Sequence, residues 1–192
     1  SNTHEVRRVL WIVLVLNAVV AAAKLIMGLA TGTVSMIADG FHSSLDASSN
    51  VMGLVGLRLA AQPPDDDHPY GHRRFETLAT LGIGGLMLVA AWEILQTMID
   101  RLLHGGAPEV VPLSFAVMIG TMALNLGVTF YERRRGHALR SPILLADASH
   151  TASDVLVSAS VLVSLAVIAL GYPWVDPLTA LLIVLIIARM GL

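Results

Sequence analysis

The chain has 192 residues, 55% of them hydrophobic and only 14% charged, with a mean hydropathy of +0.73, a balance that excludes a water-soluble domain. Twelve Lys and Arg against fourteen Asp and Glu leave a net charge of −2, so the basic excess that drives phosphate-backbone binding is missing and nucleic acid is not an expected partner. With no cysteine, disulfides, thiolate metal sites and a Cys nucleophile are excluded, and any metal chemistry must run on His, Asp and Glu.

A bilayer-spanning helix needs about 20 mainly apolar residues, and six stretches qualify: about 9–30, 34–61, 75–103, 111–132, 143–171 and 174–192. The first is too long for the apolar core of a signal peptide and lacks an Ala-x-Ala site before the second span, so it reads as a retained helix. Turn chemistry separates the spans. Thr31-Gly32-Thr33 divides the first two, and Gln62 to Arg74, with Pro63, Pro64, Pro69 and Gly71, divides the next two. Gly105-Gly106-Ala107-Pro108, Glu132 to Pro142 and Gly171-Tyr172-Pro173 supply the rest.

Cytoplasmic flanks carry the excess of Lys and Arg. Arg7, Arg8, Arg58, Arg73, Arg74, Arg133, Arg134, Arg135, Arg140 and Arg189 fall at the N-terminus, the 2–3 loop, the 4–5 loop or the C-terminal end, and only Arg101 lies near the other face. Six spans put those four places on one side, so both termini are expected in the cytoplasm. Lys24 lies inside the first span and is expected to snorkel from its last two turns.

Spans two and five carry ionisable residues where they are expensive. Both read A-D-x-x-H-x-x-x-D, as Asp39, His42 and Asp46 and as Asp147, His150 and Asp154. Offsets of three and seven residues bring each trio within about 60° on one helix face. Interhelical hydrogen bonds return about 1 kcal/mol each, whereas four intramembrane Asp at roughly 3 kcal/mol apiece cost about 12 kcal/mol, so a functional site is the better reading. The two copies occupy the second helix of each half of a six-helix chain. Span two runs outside to inside and span five the reverse, which makes a 3+3 inverted repeat with its site near the midplane.

Antiparallel packing lets His42 and Asp46 meet His150 and Asp154, and four N/O ligands of this kind suit tetrahedral Zn²⁺. Two ionised Asp cancel the ion's double charge. The imidazoles disfavour Mg²⁺ and Ca²⁺, leaving Fe²⁺, Co²⁺, Ni²⁺, Cd²⁺ and Mn²⁺ as competitors after Zn²⁺. Asp39 and Asp147 each stand one turn before the His of their helix and are expected to line the access route or to brace the ligands rather than bind the ion.

On these residues the chain resembles the cation diffusion facilitator family of divalent-metal transporters: six helices, His42 to Asp46 in helix two, His150 to Asp154 in helix five, and the stretch Gln62 to His72 leading into helix three. The resemblance implies that the quartet is the transport site, that its His/Asp pattern goes with zinc, and that the protein is a homodimer exchanging metal for protons. Metal binding needs neutral imidazoles and ionised carboxylates, so proton release on binding also follows from the ligand chemistry. In the 2–3 loop, Asp65, His68 and His72 form a candidate second Zn²⁺ site. The expected function is a Zn²⁺/H⁺ antiporter exporting Zn²⁺ by alternating access, integral to a bacterial inner (plasma) membrane and without an organic cofactor. The alternatives are the same transporter selective for Fe²⁺, Cd²⁺ or Mn²⁺ and, in another class, an intramembrane metalloenzyme. The latter lacks both H-E-x-x-H and paired E-x-x-H strings. The family usually continues into a cytoplasmic ferredoxin-like domain, and the chain, which begins Ser1-Asn2-Thr3 and ends at Leu192, is expected to be the membrane domain alone.

Overall fold

A computed structural model of the chain describes residues 2–59, 85, 88–89, 91–100, 103–104 and 107–190. The described residues form six helices and no strand: α1 Asn2–Thr31, α2 Val34–Leu59, α3 over 91–100, α4 Pro112–Leu139, α5 Pro142–Ala169 and α6 Val175–Met190. This is an all-α membrane protein. Helices α1, α4 and α5 are each long and apolar enough to cross a bilayer. The 26 residues of α2 are long enough, but Asp39, His42, Asp46 and their serines interrupt its apolar character.

Tight turns set the helix boundaries. Gly32 takes a positive φ of 66° to close α1, a conformation that costs a residue with a Cβ more than it costs glycine. Val111 enters α4 in an extended conformation ahead of Pro112, whose fixed φ suits a first helical position. At the far end Arg140 adopts a left-handed conformation with φ 48° and ψ 44°. Ser141 then caps α5, its hydroxyl accepting from the Leu144 amide, with Pro142 opening the helix.

Helix α4 runs past the expected span end at residue 132, carrying Arg133, Arg134 and Arg135 in helical form to Leu139. The expected loop from Glu132 to Pro142 therefore shrinks to Arg140 and Ser141. Arginine is a good helix former and reaches water from a helix end as readily as from a loop. One of these side chains, Arg135, meets Glu5 of α1 at 3.3 Å.

Helix α1 packs against α2 and α4, α4 against α5, and α6 against α2 and α5. The faces turned outward are apolar: Trp11, Ile26, Leu29, Phe130, Leu156, Val163, Trp174 and Leu185 are all exposed. The interior holds Asn17, Lys24, Asp39, His42, Asp46, Glu132, Asp154 and Asp176. Polar groups inside and apolar groups outside suit a hydrocarbon solvent. At Gly40 the α1–α2 approach is so close that a Cβ would stand 2.8 Å from Leu25 Cγ. Asp39 and Lys24, the neighbours of these two residues, are thereby brought together.

Candidate metal centre

Helices α2 and α5 meet along a ladder of polar side chains. Asp39 meets Ser158, His42 meets Asp154, Asp46 meets His150 and Asn50 meets Asp147. Numbers rise along α2 as they fall along α5, the register of an antiparallel pair and the one an inverted repeat requires. Steps of three or four residues keep all four rungs on one helix face.

The two middle rungs contain His42, Asp46, His150 and Asp154, four of the six residues of the repeated motif. His150 Nε2 lies 2.6 Å from Asp46 Oδ1, and His42 Nε2 lies 3.2 Å from Asp154 Oδ1. The imidazole centroids are 6.4 Å apart in an edge-to-face arrangement. His42, Asp46 and Asp154 are buried and offer ligand atoms all within 4.8 Å of one another, a grouping that could hold a metal ion. His150 is half-buried and joins them through Asp46. His42 Nδ1 is buried and lacks any hydrogen-bond partner among the described residues. Orphaned polar atoms of this kind are costly unless something else meets them.

The outer rungs hold Asp39 and Asp147, and at the first of them the placement of Lys24 differs from expectation. Lys24 does not snorkel: it is fully buried, its Nζ donating to Asp39 Oδ1 at 3.0 Å, Ser43 Oγ at 2.9 Å and Ser158 Oγ at 2.8 Å. Snorkelling loses because an ammonium has three protons and three oxygens from α2 and α5 await them inside. Ser158 donates in turn to Asp39 Oδ2 at 3.1 Å. At the opposite end the Asn50 amide donates to both carboxylate oxygens of Asp147, at 2.9 and 3.1 Å, and accepts from Asn17 at 3.2 Å. Glu132, expected at the start of a loop, is instead fully buried in α4, accepting from Thr151 at 3.4 Å and lying within hydrogen-bonding reach of Asp147.

Asp176 is a further buried acid that sequence reasoning passed over. It accepts from the amides of Val34 and Ser35 at 2.8 and 3.0 Å and from the Ser35 hydroxyl, so a side chain of α6 caps the N-terminus of α2. A signal for Glu132 was present in the stripe Asn125, Thr129, Glu132, Gly136 and Leu139, one helical face continuing through the supposed loop. Asp176 and Ser158 offer no comparable signal. The loop candidates Asp65, His68 and His72 lie outside the described residues. Glu93 and Asp100 are exposed, with Asp100 2.9 Å from His104.

Residues 10–192 match the cation efflux transmembrane domain family. The chain belongs to that family. The matched range spans Lys24 and every rung of the ladder. Among its relatives, an uncharacterized transporter of Methanocaldococcus jannaschii is 34% identical over 188 residues, 98% of this chain and 66% of that protein. The manganese efflux system protein MneS of Bacillus subtilis is 32% identical over 171 residues, 89% of this chain and 59% of that protein. The cation-efflux pump FieF of Shewanella oneidensis is 32% identical over 179 residues, 90% of this chain and 60% of that protein. The chain thus spans about three fifths of the length of these relatives.

Proposed function

We propose that the chain is the membrane-embedded part of a divalent-metal transporter that binds its cargo at His42, Asp46, His150 and Asp154. The observation that carries this reading is the crossed pairing of the two middle rungs, which gathers ligand atoms of His42, Asp46 and Asp154 within 4.8 Å of one another and leaves His42 Nδ1 buried without a hydrogen-bond partner among the described residues. Zn²⁺ is the preferred cargo, because two imidazoles and two carboxylates match its ligand taste and balance its charge. Protons compete for the same four groups, which makes H⁺ the natural counter-ion of an export cycle. The distribution of arginines supports cytoplasmic termini and export from the cytoplasm, and a homodimer accords with the family resemblance. The loop residues Asp65, His68 and His72 are kept as a second Zn²⁺ site at the cytoplasmic surface.

A transporter of the same type selective for Mn²⁺ is the second reading, favoured by the 32% identity to a protein named as a manganese efflux system. Uptake of Zn²⁺ and of Mn²⁺ into proteoliposomes, with and without an imposed pH gradient, tests both readings. Wild type is expected to move Zn²⁺ faster than Mn²⁺, Asp46→Ala and Asp154→Ala to move neither, and collapse of the gradient to slow the flux. Equal uptake by wild type and Asp46→Ala removes the transport-site assignment; faster Mn²⁺ uptake replaces the zinc reading; flux indifferent to the gradient removes the antiport.

A further inference from the structure

The buried ion pair beside the quartet has a charge that must be counted with the site. Lys24 Nζ spends all three protons, on Asp39, Ser43 and Ser158. Both oxygens of Asp39 are engaged, by Lys24 and by Ser158. All three oxygen partners are placed by the quartet's own helices: Asp39 is one turn before His42, Ser43 directly follows His42, and Ser158 is one turn beyond Asp154. The ammonium therefore lies roughly one helical turn, about 5.4 Å along the axis, from the metal ligands.

We infer that Lys24 is a built-in counter-cation that holds the number of free carboxylates facing the ion at two, fitting the site to a divalent charge and keeping Asp39 from capturing the cargo. The inference rests on the quartet being the transport site. Without Lys24, helices α2 and α5 present Asp39, Asp46 and Asp154 to one ion, an excess of negative charge in a low-dielectric interior. With it, Asp39 is neutralised internally and the loaded site is balanced. Asp147 lies at the opposite end against Glu132, its oxygens held by the neutral amide of Asn50, and it is common to every variant compared below, so it does not alter the sign of the differences. A unit charge one helical turn from a divalent ion changes affinity by about tenfold even at the dielectric constant of water, and by more in a protein interior. Lys24 is on this account a positioning and charge-setting residue that never touches the metal.

An ion pair that merely fastens α1 to α2 and α5 makes a different forecast from one that sets charge. Removing either partner of a fastener harms the site in the same direction, whereas removing either partner of a charge balance moves metal affinity in opposite directions. The test is the Zn²⁺ affinity of the full chain in lipid nanodiscs, read by competition with a fluorescent chelator. Lys24→Met is expected to tighten binding by about tenfold or more, Asp39→Asn to weaken it by a similar factor, and the double variant to return near wild type. Single variants that both weaken binding, or that both leave it unchanged, overturn the inference. Should Lys24→Met fail to fold, judged by size-exclusion profile, the remaining pair decides: a double variant that binds more tightly than Asp39→Asn supports the inference, and one that does not overturns it. Asp46→Ala is run alongside. If it binds Zn²⁺ as wild type does, the transport-site reading falls and this inference with it; if it loses Zn²⁺ while the Lys24 and Asp39 variants move together, this inference falls alone.

Discussion

The two ends of the α2–α5 ladder use the same pair of helices to opposite electrostatic effect. At one end Asp39 meets a buried ammonium, both of its oxygens are held, and Lys24, Asp39 and Ser158 are all fully buried. At the other, Asp147 is half-buried, takes the amide hydrogens of Asn50, and is hydrogen-bonded to a second carboxyl, that of Glu132. The sequence repeats the motif almost identically, yet the surroundings make one end a closed ion pair and the other an acid pair beside the half-buried His150. Symmetry of the motif therefore does not carry over to symmetry of the site.

The largest expected effect tests whether the Lys24 end is the more tightly fastened. Asp39→Asn strands a buried ammonium, and removing one member of a buried pair costs about 3–5 kcal/mol. Asp147→Asn at the other end strands no opposite charge and is expected to cost less than about 1 kcal/mol. Equal drops in thermal unfolding midpoint in detergent for the two variants break the comparison. Next comes Asp176→Ala, which removes two amide contacts from the α2 N-terminus; losing a helix cap costs about 0.5–2 kcal/mol, and a loss of about 2 kcal/mol is expected for this buried acid, with part of it recovered by Asp176→Asn. Gly40→Ala forces a methyl group against Leu25 and is expected to cost about 1–3 kcal/mol through overpacking. Gly120→Ala, where a Cβ meets nothing within 4 Å, serves as its control and is expected to be neutral or slightly stabilising. The smallest effect is Glu132→Gln, which replaces a carboxyl against Asp147 by an amide able to donate to it. Stability is expected to rise, by less than about 1 kcal/mol. A fall of several kcal/mol would mean that Glu132 has a cationic partner and that this end is not an acid pair.

Much of this arrangement was legible in the chain. Apolar stretches longer than a bilayer is thick can only be helices, because no water is available there to satisfy a backbone, so the all-α membrane fold followed from composition and length. The repeated Asp, His, Asp spacing singled out His42, Asp46, His150 and Asp154, since ionised groups are retained in hydrocarbon only for cause. Local patterning could not say which charge meets which across 119 or 142 residues of sequence. Lys24 could equally have snorkelled, Glu132 could equally have begun a loop, and Asp176 could equally have capped its own helix. Those outcomes turned on partners brought close by packing: Gly40 admits α1 near enough for the ammonium to reach Asp39 and Ser158, and α6 seats Asp176 over the first amides of α2. Sequence alone determined that an expensive polar spine exists and which residues form its centre. Only the tertiary structure decided how its charges are balanced, because a Coulomb interaction depends on distances in space that spacing along one helix does not fix.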